Sequence, residues 1–242
     1  MNILIPMAGL GSRFLGSKYK APKYLIDICG KSMIERAMES FKTLDAKYHF
    51  VLRETSHTGE VVDILNSICD NPNIMIISEL TDGPANTALL MSEYINNDQE
   101  LIIANCDQII FWDFAKFLHY CNYSVHDGVI VTYTTDTPKN SYARIDKLGN
   151  VLEVREKEVI SNISLNGVHY WKKGSCFVRS SLEMIEAKDT APNGEYYIGP
   201  SYNYMIKNNR KIGVYHIPNC QHNAVGVPDD LDLFLEKYSE SL

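Results

Sequence analysis

Apolar residues in the first half of the chain fall into short unbroken runs separated by amphipathic stretches. Ile3–Met7, Tyr24–Ile28, Tyr48–Leu52, Ile74–Ile77 and Leu101–Ala104 have the length of strands. Met33–Phe41, behind the capping-box pair Ser32 and Glu35, predicts a helix. So does Thr58–Cys69, which carries Val61, Val62, Leu65 and Ile68 along one face. Further helices are expected over Ala85–Ile95 and Phe111–Tyr120. Apolar strands alternating with helices predict a parallel sheet covered on both faces. Ligands bind such sheets at the carboxyl ends of strands. Two polar stretches lie at such ends, Ala8–Lys23 and Asn105–Gln108.

From about residue 126 the pattern changes. Asp127–Thr134, Tyr142–Ile145, Val151–Val154 and Ser164–Trp171 read as strands with no long helices between them, so this half is expected to be more antiparallel. Helices are expected at Ser180–Ala187, Tyr197–Lys207 and Asp229–Tyr238, with a strand at Ile212–Ile217. No Pro/Gly/Ser-rich linker or internal repeat divides the chain. The expected fold is α/β: a Rossmann-like mixed, mainly parallel sheet flanked by helices, with a more antiparallel second half, in one domain over residues 1–242.

Composition narrows the function. A chain of 242 residues with 45% hydrophobic and 22% charged positions can bury a sizeable core. A net charge of −7 argues against a nucleic-acid-binding surface, and it makes the cluster Arg13, Lys18, Lys20 and Lys23 stand out. No apolar run approaches the ~20 residues of a membrane span, and the N-terminus lacks the features of a signal peptide. The six cysteines are scattered with no C-x-x-C pair, as in a reduced cytoplasmic protein without structural zinc. The histidines have no metal-ligand spacing; His169 is an outlying candidate for a binding pocket.

The opening stretch carries the strongest chemistry. After the strand come Met7-Ala8-Gly9-Leu10-Gly11-Ser12, small residues whose backbone N–H groups can converge on an anion. A dinucleotide fingerprint needs a third glycine where Phe14 stands, and the Gly-Lys-Ser/Thr of a P-loop is missing. Arg13 can clamp phosphate oxygens bidentately, and Pro22 stiffens the chain ahead of Lys23. Lys18 and Lys20 read as solvated loop residues. Asp107, just past an apolar strand, suits Mg²⁺ on phosphate oxygens; its competing reading, a cap for the helix from Phe111, places it four residues early. Thr81-Asp-Gly-Pro84 is turn chemistry.

Ile5–Phe14, Ala21–Ile26, Gly30–Ile34 and Asn105–Gln108 together resemble the nucleotidyltransferases that make activated sugars and alcohols. These are the sugar-1-phosphate nucleotidylyltransferases and their short cytidylyltransferase relatives, among them enzymes acting on phosphoglutamine. The resemblance implies that residues 1–125 bind an NTP and residues 126–242 an acceptor. Met7, Ala8, Gly9, Leu10, Gly11 and Ser12 would wrap the nucleotide, and Arg13 and Lys23 would hold its phosphates. Thr81, Gly83, Pro84 and Ala85 would read the base through main-chain groups, with Ala8 and Gly83 against the nucleoside. Lys157, in a Glu-Lys element, would hold the acceptor's phosphate, beside Asn166, Gly167 and Glu195. Asp107 would carry Mg²⁺. The family's second, late aspartate is absent ahead of Gly226-Val-Pro228, so Asp107 holds the metal with phosphates and water, or Asn223 substitutes.

The implied reaction transfers a nucleoside monophosphate to a phosphorylated small molecule and releases pyrophosphate. CTP and a phosphoglutamine- or phosphocholine-like acceptor are preferred, in surface-polysaccharide (capsule) biosynthesis. The alternative is a sugar 1-phosphate with UTP, dTTP or GTP. A glycosyltransferase of related fold would want Asp-x-Asp where Cys106-Asp-Gln108 has one acid, and a non-catalytic nucleotide-binding regulator is the remaining rival. Oligomeric state is not legible.

Overall fold

The computed structural model describes residues 1–41 and 46–240. The chain opens with β1 (Asn2–Met7), a hairpin of β2 (Asp27–Ile28) and β3 (Lys31–Ser32), and α1 (Met33–Glu39). It continues through β4 (Lys47–Arg53), α2 (Thr58–Ile68), β5 (Asn73–Ile77), α3 (Pro84–Leu89), α4 (Ser92–Ile95) and β6 (Leu101–Ala104). Then come β7 (Gln108–Ile110), α5 (Phe114–Tyr123), β8 (Gly128–Thr134), β9 (Ser141–Ile145), β10 (Val151–Glu156) and β11 (Ile163–Trp171). The last elements are α6 (Gly174–Glu186), α7 (Ser201–Lys207), β12 (Ile212–His216), β13 (His222–Ala224) and α8 (Pro228–Tyr238).

One nine-stranded sheet runs through both halves, in the order β10-β9-β11-β6-β1-β4-β5 with β8 on β11 and β12 on β8. β6, β1, β4 and β5 are parallel, as the apolar runs predict. β11 is antiparallel to β6, β8 and β9, and β10 is antiparallel to β9. β12 departs from this by lying parallel to β8. The central strands are apolar without alternation because helices cover both faces. Leu4, Leu101 and Ile103 enter one core, and Ile3, Ile5, Ile102 and Ala104 the other. A third cluster packs α8, through Leu231 and Phe234, against Phe14, Ile28, Met33 and Val225. No helix among the described residues is long and apolar enough to cross a membrane.

Several boundaries correct the sequence reading. The helix expected over Ala85–Ile95 breaks into α3 and α4. Leu90 N–H donates to Thr87 O and Met91 N–H to Ala88 O, tightening the turn, while the Ser92 hydroxyl takes the Leu89 carbonyl. The helix expected from Phe111 begins at Phe114 because Asp113, not Asp107, caps it by accepting from Lys116 N–H at 3.2 Å. Gln108–Ile110 instead pairs with His222–Ala224 in a small second sheet. Lys23–Leu25 is a 3-10 turn, so the strand expected from Tyr24 shrinks to Asp27–Ile28. α6 starts six residues earlier than Ser180, at Gly174, whose missing side chain lets it sit on the Ile95 carbonyl, where a Cβ would come within 2.0 Å. α7 starts at Ser201, after Gly199-Pro200, rather than at Tyr197.

Candidate active site

The loop after β1 is shaped by its glycines. Gly11 is left-handed (φ 61°), and a Cβ there would press on Lys23 Cβ at 3.1 Å, whereas Gly9 faces open space. The 3-10 turn Ser12–Phe14 follows, anchored by the buried Phe14 ring. Arg13 is thereby held at the mouth of a cleft while its neighbour is fixed in the core.

Pro22 is extended and delivers Lys23 into the same cleft, where its ammonium donates to Asp107 Oδ2. The two side chains are 19% and 17% exposed. Burial disfavours the Lys23 ammonium, but the charge of the Asp107 carboxylate and its hydrogen bond help to outweigh burial and raise the Lys23 pKa. Lys23 is therefore a cation throughout the neutral range. Asp107 lies just beyond β6 and is backed by Gly226, where a Cβ would stand 2.3 Å from Oδ2. Val225 N–H donates to the Asp107 carbonyl at 3.0 Å. Burial pushes the Cys106 thiol up to about 11, so it is not a nucleophile at neutral pH.

Two clefts meet at this point. The first, of about 620 Å³, is lined by Met7, Gly9, Leu10, Gly11, Arg13, Lys23 and Pro84. Ala8, Ser12, Thr81, Gly83 and Ala85 are not on its surface. The Thr81 hydroxyl is taken up by Gly83 O and Thr87 Oγ1. Gly83, at φ 112°, packs against the Tyr196 backbone, and Tyr196 N–H donates to Asp82 O at 2.7 Å. The turn is thus pinned to the second half of the chain. The second cleft, of about 780 Å³, holds Lys157, Asn166 and Gly167, while Glu195 lines neither cleft. Glu195 accepts from Asn193 Nδ2 at 2.8 Å, and Tyr197 occupies the wall instead. Arg13, Pro84, Asn105, Asp107 and Tyr197 line both clefts.

A bulge in β11 shapes the second cleft. Its register against β8 shifts between Leu165 and His169, and Gly167 (φ 99°) lies so close to Asn105 that a Cβ would approach Nδ2 to 2.4 Å. Lys157 donates to the Tyr197 hydroxyl at 2.7 Å. The half-buried Glu156 has its pKa raised, because desolvation exceeds the help of Ser141 and Lys157. Asn166 Nδ2 donates to His222 Nδ1 at 2.6 Å, and the His222 ring stacks on Tyr133 at 3.8 Å. Burial lowers His222 to about 4 and His169 to about 3, so both imidazoles are neutral at pH 7. His169, set aside as an outlying candidate, does line this cleft.

Arg53, Thr55, Tyr133 and His222 are not singled out by the sequence, whereas Glu156 enters only as half of the Glu-Lys element and Tyr197 only as a packing residue in the stretch around Glu195. Only Glu156 and Tyr197 had a local signal, as neighbours of residues already singled out. The Lys18 ammonium, expected to be solvated, pairs with Asp232 at 2.8 Å while remaining exposed. No group of three or more His, Cys, Asp or Glu side chains is gathered to hold a metal among the described residues. A lone carboxylate such as Asp107, beside Lys23 in a cleft that also holds Arg13, is compatible with Mg²⁺, which takes one or two carboxylates and completes its octahedron with phosphates and water. Asn223 is engaged elsewhere, its amide donating to Ile109 O at 3.2 Å.

No protein-family model matches the sequence. The chain is 24% identical over 233 residues to the bifunctional protein GlmU of Methanocaldococcus jannaschii, covering 96% of this chain and 52% of that one. GlmU of Clostridioides difficile is 22% identical over 88% of this chain and 46% of its own. The chain therefore spans about half the length of these curated relatives. The crystal structure of a nucleoside-diphosphate-sugar pyrophosphorylase from Vibrio cholerae superposes with a TM-score of 0.81 at 23% identity, covering 97% of this chain and 99% of that one. The inositol-1-phosphate CTP transferase of T. maritima superposes with a TM-score of 0.75 at 13% identity, over 99% and 94%. Similarity along nearly the whole chain and likeness of fold agree with the resemblance of its motifs to the nucleotidyltransferases.

Proposed function

We propose that the chain transfers a nucleoside monophosphate from an NTP to a phosphorylated small molecule, releasing pyrophosphate. The observation that carries this reading is the junction of two clefts at Arg13 and Asp107, with Lys23 alongside. An NTP in the first cleft would place its phosphates there, and an acceptor phosphate would enter from the second. An acceptor oxygen attacks the α-phosphorus, and the bond to the pyrophosphate oxygen breaks. The protein need only align two polyanions and neutralise them, the dominant contribution in such transfers. Arg13 and Lys23 supply fixed positive charge on the donor, and Lys157 on the acceptor. Mg²⁺ bound to Asp107 and the phosphates would supply the rest.

CTP is the preferred donor. For the acceptor, the second cleft presents Asn140, Ser141, Glu156 and Asn166, groups that hydrogen-bond to hydroxyls or amides. The Tyr133 face is covered by His222, and Lys157 sits over the Tyr197 ring at 4.7 Å. One face of each of these rings is thus occupied, which weakens the case for a trimethylammonium group at these two positions. The polar groups of the cleft suit a phosphoglutamine-like amide, in surface-polysaccharide assembly, or a sugar 1-phosphate. The likeness to a nucleoside-diphosphate-sugar pyrophosphorylase supports the sugar.

The test is a matrix of CTP, UTP, dTTP, GTP and ATP against phosphoglutamine, phosphocholine and several sugar 1-phosphates with Mg²⁺, read as pyrophosphate release. Release with none of the pairs sinks the reading and leaves the nucleotide-binding regulator. Consumption of a nucleotide sugar without pyrophosphate would indicate the glycosyltransferase. Within an active pair, Gly226→Ala should lower the rate about a hundredfold, because its Cβ would displace the Asp107 carboxylate. A melting temperature within a few degrees of wild type would separate this from unfolding, and an unchanged rate would show that the Asp107 position is unimportant.

A further inference from the structure

Arg53 has no place in the reading so far. It ends β4, lies half-buried in the first cleft, and its buried Nε has no hydrogen-bond partner. A buried donor left unpaired is costly, so a ligand atom is the natural partner. Arg53 does not line the second cleft and is absent from the junction where the phosphates would meet. Register fixes its neighbours. Met7 pairs with Leu52, so Arg53 comes level with Ala8 on one side, and it pairs with Ile77 on the other. It therefore stands between the glycine loop and the strand that leads into the Thr81–Ala85 turn, the two stretches expected to flank the nucleoside.

We infer that Arg53 reads the nucleotide base and selects one that presents two adjacent hydrogen-bond acceptors. A guanidinium fork donates two parallel N–H bonds and accepts none. Cytosine offers O2 beside N3, and guanine offers O6 beside N7. Uracil and thymine place an N3–H donor between their carbonyls, and adenine sets its amino donor beside N1 and N7 and leaves N3 without an adjacent acceptor on its base edge. Arg53 thus favours cytosine or guanine over the other three. The inference rests on the proposed NTP-dependent function for the location of the base.

Equilibrium dialysis of CTP, GTP, UTP, dTTP and ATP against the full chain tests it, with Arg53→Met and Arg53→Lys as variants checked by thermal melting. The wild type should hold CTP or GTP at least about tenfold more tightly than the other nucleotides, and which of the two identifies the base. Arg53→Met should bring that affinity down to the level of UTP while leaving UTP within about twofold. Arg53→Lys keeps the charge without the fork and should lose the preference as well. Equal weakening for all five nucleotides would make Arg53 a phosphate contact and overturn the inference. So would a wild-type preference for UTP, dTTP or ATP, an unchanged preference in Arg53→Met, a preference retained by Arg53→Lys, or no nucleotide binding. An Arg53-dependent preference without pyrophosphate release from any acceptor would sink the transfer reading while this one stands.

Discussion

Asp107→Asn is expected to lower pyrophosphate release at least about a hundredfold, with the fold intact. The substitution keeps the volume of the side chain against Gly226, so the packing behind it survives. What it removes is the negative charge that the proposed Mg²⁺ site depends on. No group of three or more His, Cys, Asp or Glu side chains is gathered to hold a metal among the described residues, so no ready-made ligand set replaces that charge. The loss should appear in kcat/KM at saturating Mg²⁺ and should not be rescued by more metal. Stability should fall only modestly, since Lys23 loses an ion-pair partner but can still donate to the amide; roughly 1–3 kcal/mol brackets such a change. A near-normal rate in Asp107→Asn would remove Asp107 from the metal site.

The parts of this molecule that were legible in sequence are those whose cause is local. β1 and β6 were located because strands buried on both faces must be apolar throughout, and Leu101–Ala104 carries that signature without interruption. The α1 capping box was legible for the same reason, and the structure has both of its hydrogen bonds. Gln108–Ile110 is not legible as a strand because its partner, His222–Ala224, is remote in the chain and neither segment has a pattern of its own. The start of α6 was missed because no capping side chain announces it; the reason lies in the Ile95 carbonyl, a tertiary contact.

The candidate site divides in the same way. Arg13, Lys23 and Asp107 stand in a glycine loop, after a proline and past a strand end, and all three line the first cleft. Arg53 is brought there by strand register alone, and His222 by the pairing of β13 with β7. Glu195 illustrates the converse. The resemblance points to Glu195, but the backbone bonds that tie Tyr196 to Asp82 and Ala85 leave Tyr197, not Glu195, on the cleft wall.

Lys23→Met should move two measurements in opposite directions. In the protein alone the Lys23 ammonium occupies Asp107 Oδ2, so a divalent cation must displace it to reach the carboxylate. When an NTP binds, its phosphates would draw Lys23 away and free Asp107 in the same step. The ion pair would thus keep the metal site closed until the polyanion arrives. Methionine keeps the length and apolar stem of the side chain but cannot hold the carboxylate. Affinity for Mn²⁺ without nucleotide, read by electron paramagnetic resonance, should therefore rise several-fold, since removing a positive charge in contact with a carboxylate strengthens cation binding. Pyrophosphate release should fall at least about a hundredfold, because a positive charge at the reacting phosphates is gone. Arg13→Ala provides the control: it should cost activity similarly but leave metal affinity unchanged, as Arg13 makes no ion pair with Asp107. If Lys23→Met leaves Mn²⁺ binding as weak as in the wild type, the lysine does not guard the carboxylate, and its role reduces to holding phosphate.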